Sequence, residues 1–83
     1  MSPTVITVEP KDDYTLLLTF DNGEQKIFDV KHLLDFGIFK ELRNINYFKK
    51  VKVDPGVTIC WPNEQDICPD TLYLKSIPYQ SEN

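Results

Sequence analysis

Eighty-three residues suffice for one domain with a small core, and 41% apolar with 12% aromatic residues is too rich for a disordered chain. The net charge of −4 is unevenly spread: residues 1–30 carry two lysines and six acids, residues 31–52 six basic residues and two acids, and residues 53–83 one lysine and five acids. That order argues against a general nucleic-acid binder, which is basic overall. No run approaches the ~18 apolar residues of a membrane helix. Met1-Ser2-Pro3-Thr4 has no basic head followed by an apolar stretch, so no signal peptide is expected and the cytoplasm is the expected compartment.

Residues 4–10 are β-rich and end at Pro10, which reads as a strand. Lys11-Asp12-Asp13 is a polar turn. Residues 14–20 form a second strand with Tyr14, Leu16, Leu18 and Phe20 on its core face. Asn22-Gly23 predicts a type I′ hairpin turn, and residues 25–30 return. Asp29 can cap a short helix over residues 30–34, and Gly37 breaks it. Residues 38–42 place Ile38, Phe39 and Leu42 at helical spacing, and residues 46–48 make a third short turn. Such short pieces need Leu33, Leu34, Phe39, Leu42 and Phe48 to staple them to a sheet.

Residues 49–53 read as a strand, alternating charged and apolar positions from Lys50 to Val53 as a half-buried strand does. Asp54-Pro55-Gly56 suits a type II turn, and residues 57–61 return, with Val57, Ile59 and Trp61 expected on one face. Pro62 ends that strand, and Asn63 and Asp66 suit the turn after it. Residues 69–73 read as one helical turn that brings Leu72 and Tyr73 back to the core. Trp61 is expected to be buried on Leu16, Leu18 and Phe20, with Leu72 and Tyr73 closing over it. The tail 78–83 is expected to fray, leaving an ordered core over about residues 4–77 of a single domain, 1–83.

These motifs together resemble the bacterial domain-of-unknown-function 2442 family. The resemblance runs through Val5 to Val8, Asp13 to Phe20, Asn22-Gly23, Leu33-Leu34, Phe39 to Leu42, and Phe48 with Val51-Lys52-Val53-Asp54. Its specific part is Trp61-Pro62-Asn63, Asp66-Ile67 and Pro69 to Tyr73. It departs where Glu64-Gln65 stand in place of an expected glycine or small residue. The resemblance implies an α+β fold and no established activity. Relatives of this kind can be fused to a helix-turn-helix domain or encoded beside a second small protein in arrangements like toxin–antitoxin pairs. The expected architecture is a small antiparallel sheet of two β-hairpins plus a first strand, with short helices packed on one side.

No catalytic, cofactor or metal site is expected. His32 is the only histidine, and on a short helix it reads as a surface or capping residue. Asp66 and Asp70 read as caps rather than a catalytic carboxylate pair. Cys60 and Cys68 read as free thiols without a neighbouring base, and with His32 they match no common zinc spacing. The expected role is a non-enzymatic protein-interaction module, as the antitoxin-like or regulatory half of a two-protein unit, monomeric or weakly dimeric. Exposed hairpin edges recruit strands, and Lys40, Arg43, Lys49, Lys50 and Lys52 form the candidate interaction patch. The alternative is a nucleic-acid-binding regulator that uses the basic segment 40–52 with Tyr47 or Phe48 exposed for stacking.

Overall fold

The computed structural model describes residues 2–79. Its seven strands and short helical pieces follow the order β1 (Val5–Pro10), β2 (Thr15–Phe20), β3 (Gln25–Asp29), two 3-10 segments (Lys31–Leu33 and Gly37–Arg43), α1 (Ile45–Phe48), β4 (Lys52–Asp54), β5 (Thr58–Cys60), β6 (Asp66–Ile67), α2 (Pro69–Lys75) and β7 (Ile77–Pro78). The strands make two antiparallel sheets, β1-β2-β3-β7 and β4-β5-β6. The α+β class holds. The second hairpin forms a sheet of its own with β6, and β1 packs against β4 and β5 where the two sheets meet.

Alternation on β2 is clean. Leu16, Leu18 and Phe20 are fully buried, whereas Thr15, Leu17 and Thr19 are half-exposed. Phe28 and Val30 continue the same core, which Leu42, Phe48, Ile59, Trp61, Ile67 and Leu72 complete. Tyr14 departs from the expected strand. It sits before β2 at φ 64°, half-buried, with its ring edge-on to Phe48 at 5.2 Å and its hydroxyl donating to the Arg43 carbonyl.

The first hairpin closes through a three-residue loop, Asp21-Asn22-Gly23, one residue longer than the two-residue loop expected. Gly23 N–H donates to Phe20 O at 2.9 Å and Phe20 N–H to Glu24 O at 2.8 Å, and only Gly23 takes a positive φ, 89°. This is a type I turn followed by a left-handed glycine bulge, not the type I′ turn expected. Asn22 stays in the ordinary region because its Oδ1 accepts from Glu24 N–H at 2.9 Å.

Several other expectations are corrected. Val57 is exposed and Thr58 is buried, because the Thr58 hydroxyl donates to Ile67 O at 2.5 Å and ties β5 to β6. Ile38 is 64% exposed; of the 38–42 segment only Leu42 is fully buried. Asn44 does more than end a turn. Its Oδ1 accepts from Asn46 and Tyr47 N–H groups and opens α1. Asp66 is no cap, for it lies in β6 opposite Cys60. Pro78 belongs to β7, opposite Lys26, and Tyr79 N–H donates to Gln25 O, so the ordered chain runs past 77. Residues 80–83 of the expected frayed tail lie outside the described residues.

Trp61 is 1% exposed, as expected for a core ring. Its described aromatic neighbour is Phe48, at 6.2 Å, and its Nε1 donates to Phe48 O at 2.8 Å. Tyr73 packs edge-on to Phe20 at 5.1 Å instead. The reason is the indole N–H: a buried donor needs an acceptor, and the end of α1 supplies the Phe48 carbonyl, which also accepts from Val51 N–H at 3.3 Å.

Candidate interaction surface

The basic segment is carried on the 3-10 segment, α1 and β4. Three residues per 3-10 turn put Gly37, Lys40 and Arg43 in one row and Phe39 and Leu42 in another, which packs inward. Arg43 Nε donates to Leu34 O at 3.0 Å while its guanidinium pairs with Asp35. Lys49 pairs with Asp12 in the β1–β2 turn. Lys50 is exposed after α1. Lys52 stands on β4 opposite Cys60, whose other neighbour is Asp66. There it lines a groove of about 310 Å³ with Asp54, Glu64 and Asp66. Arg43 and Lys49 are thus engaged by carboxylates and Lys52 lies among acids. Lys40 and Lys50 have no ion pair among the described residues. Phe48 is fully buried and Tyr47 half-buried, so neither ring is free for stacking on a base.

The loop after β5 is built by a network that residue type alone did not reveal. Glu64 N–H donates to Trp61 O and Trp61 N–H to Gln65 O, both at 2.9 Å, and Glu64 takes φ 72°. This repeats the backbone pattern of the Phe20–Glu24 turn, with a glutamate where that turn has glycine. Gln65 is 2% exposed; it accepts from the Tyr47 hydroxyl at 2.7 Å and donates to Glu41 at 2.8 Å and to Ile38 O at 3.1 Å. Asn63 Nδ2 donates to both Glu41 oxygens at 2.8 Å, and Asn63 N–H donates to the Tyr47 hydroxyl at 2.8 Å. The Asn63 and Gln65 donors hold the Glu41 carboxyl below its usual range, because they stabilise its charged form. All these groups are mutually satisfied, which marks the network as scaffold.

A second unforeseen cluster fixes α2. Lys26 is buried, its Nζ donating to Tyr73 O at 2.5 Å and lying 4.0 Å from the Tyr73 ring centroid. The Tyr73 hydroxyl donates to Glu24. Hydrogen bonds from Tyr73 and then Asn22 lower the Glu24 carboxyl, while the Glu24 partner raises the Tyr73 hydroxyl. A lysine on an otherwise apolar face was the one signal in the sequence, since strand alternation puts Lys26 on the side of Phe28.

His32 is exposed and its ring lies 5.9 Å from Phe28. Cys60 is half-buried and Cys68 exposed, both free thiols. Among the described residues no group of three or more His, Cys, Asp or Glu is gathered to hold a metal ion, and no helix is long and apolar enough to cross a membrane.

Exposed apolar side chains gather in three places. Phe36 and Ile38 flank Gly37; Leu74, Ile77 and Tyr79 lie at the α2–β7 end; Ile6 and Val57 stand beside a groove of about 400 Å³ lined by Thr4, Val5, Ile6, Asp21, Val53, Pro55 and Gly56. The sheet edges are blunted. β1 has an irregularity between Val5 and Thr7 and ends at Pro10, β7 is two residues long with Pro78, β4 carries Lys52 and Asp54, and β6 is two residues long with Asp66. These devices oppose strand addition, so side-chain surfaces rather than open edges are the contact candidates.

Two small antiparallel sheets stapled by 3-10 turns and two short helices define an α+β domain. The family model for a protein of unknown function, DUF2442, matches residues 5–78, and the chain belongs to that family. No curated protein and no solved structure matches it.

Proposed function

We propose that this domain is a non-enzymatic protein-interaction module of the bacterial cytoplasm, the antitoxin-like or regulatory half of a two-protein unit. The observation that supports this reading is the grouping of exposed apolar side chains. Among the described residues the seven exposed large hydrophobics fall at the three places named above, two or three to a place. Against an enzyme weighs the lone histidine, whose ring lies against Phe28 at 5.9 Å. Against nucleic acid weigh the carboxylates that engage Arg43 and Lys49 and the acids around Lys52.

The test is capture from the source cell with the native chain and three surface variants, Phe36→Ser with Ile38→Ser, Leu74→Ser with Ile77→Ser, and Ile6→Ser with Val57→Ser. The expected result is a defined protein retained by the native chain and lost with one folded variant, then reproduced with that protein purified. Recovery indistinguishable from an unrelated domain of equal charge would overturn the reading.

A further inference from the structure

We propose that residues 69–79 are a hinged strap, which swings off the edge of the first sheet while the rest of the domain stays folded, with the Tyr73 hydroxyl as its latch. Such a strap operates with or without a partner. It crosses from one sheet to the other: it leaves β6 in the second sheet, runs through α2, and ends as β7 on the outer edge of β3 in the first. Its root is fixed, because β6 pairs with β5 and the Thr58 hydroxyl holds Ile67 O. Cys68 follows as the pivot. It is exposed, stands at φ −51° and ψ 133°, and its side chain makes no capping bond.

Beyond that pivot the strap is lightly held. Of its large apolar side chains only Leu72 is fully buried, whereas Leu74 is 71% and Ile77 64% exposed. β7 pairs with β3 through Lys26–Pro78 and Ile27–Ile77, while β2 pairs along the whole of β3, from Gln25 to Asp29. The remaining hydrogen bonds between the strap and the first sheet converge on three consecutive residues of the first hairpin. The Tyr73 hydroxyl donates to Glu24, Tyr79 N–H to Gln25 O, and Lys26 Nζ to Tyr73 O. The Tyr73 ring also stands edge-on to Phe20 at 5.1 Å and 4.0 Å from the Lys26 ammonium. One residue therefore carries most of the grip. Segments that open on their own are those with little apolar burial and short ladders, and the strap has both properties where β2 has neither. Opening uncovers Phe20 and leaves β3 as an edge strand with unpaired N–H and C=O groups; closed, β7 is what blunts that edge.

Residue-resolved amide exchange under native conditions, on the whole chain, tests this. The amides of α2 and β7 are expected to share one opening, at least about tenfold more frequent than that of β2 and far less sensitive to added denaturant, because it exposes less surface. Asn44→Ala removes the cap of α1, which stays folded when the strap opens. It should quicken exchange in β2 and leave the strap unchanged. Tyr73→Phe keeps the ring and removes one hydrogen bond, so the strap should open about three- to tenfold more often. In a Glu24→Ala background the same change should add nothing, since the bond is already gone. Melting curves first establish that each variant is folded. Strap and β2 amides that exchange together, with one denaturant dependence and a common response to Asn44→Ala, would show that the strap leaves only on global unfolding and overturn the proposal. Exchange in β7 that runs ahead of α2 would replace the hinge with simple fraying and overturn it too. A strap indifferent to Tyr73→Phe, or equally quickened by it with Glu24→Ala, would refute the latch.

Discussion

Glu64→Gly is expected to stabilise the domain. Glu64 occupies the left-handed region at φ 72°, in a loop whose hydrogen bonds match those around Gly23 at φ 89°. A side chain there brings Cβ against the following carbonyl at a cost of about 1–2 kcal/mol. Glycine removes that cost but adds unfolded-state freedom of roughly 0.5–1 kcal/mol. The Glu64 side chain is exposed and makes no hydrogen bond or ion pair among the described residues, so its loss contributes little. The net gain is about 0.5–1 kcal/mol, which for a domain of this size raises the melting midpoint by roughly 2–8 °C. Thermal unfolding followed by circular dichroism reads it, with Glu64→Ala as the reference that keeps Cβ in the strained region. If Glu64→Gly melts at or below Glu64→Ala, the backbone of this loop carries no such strain and the argument fails.

Gly23→Val is the converse: no atom lies within 4 Å of the added Cβ, so its expected cost of about 1–3 kcal/mol is purely conformational, and an unchanged midpoint would contradict the turn geometry. Trp61→Ala should cost roughly 3–5 kcal/mol, since it empties a core site and leaves the Phe48 carbonyl without its indole partner; native emission should be blue-shifted and poorly quenched by iodide, and a red-shifted, readily quenched signal would sink the packing described. Acid should weaken the Glu41 network. Its folded pKa lies below the usual glutamate value, so its contribution is complete above that value and is lost as pH falls through the folded one. Glu41→Gln should therefore flatten the melting-midpoint profile between about pH 5 and 3, and an unaltered slope there would show that Asn63 and Gln65 do not favour the carboxylate. Because Cys60 and Cys68 are free thiols, a reductant should leave the midpoint where it is, and a fall of several degrees would reveal a disulfide.

Local chemistry determined much of this protein. The period-two pattern of residues 15–20 fixed which side of β2 is buried, and Asn22-Gly23 and Pro55-Gly56 located both hairpin turns. The motif order from Val5 to Tyr73 was enough to identify the family. Such features depend on neighbours in sequence, where sterics and alternation act directly. What needed the tertiary structure depends on groups far apart in the chain. Gln65 is buried because Tyr47, Glu41 and Ile38 satisfy its amide, Lys26 because Tyr73 takes its charge, and Thr58 because Ile67 accepts its hydroxyl proton. No propensity announces such partners, since each becomes affordable only once the other is in place. The candidate patch shows the same limit: five basic residues close in sequence were legible, but only the folded chain showed that carboxylates engage Arg43 and Lys49, that acids surround Lys52, and that Phe36 and Ile38 stand in solvent.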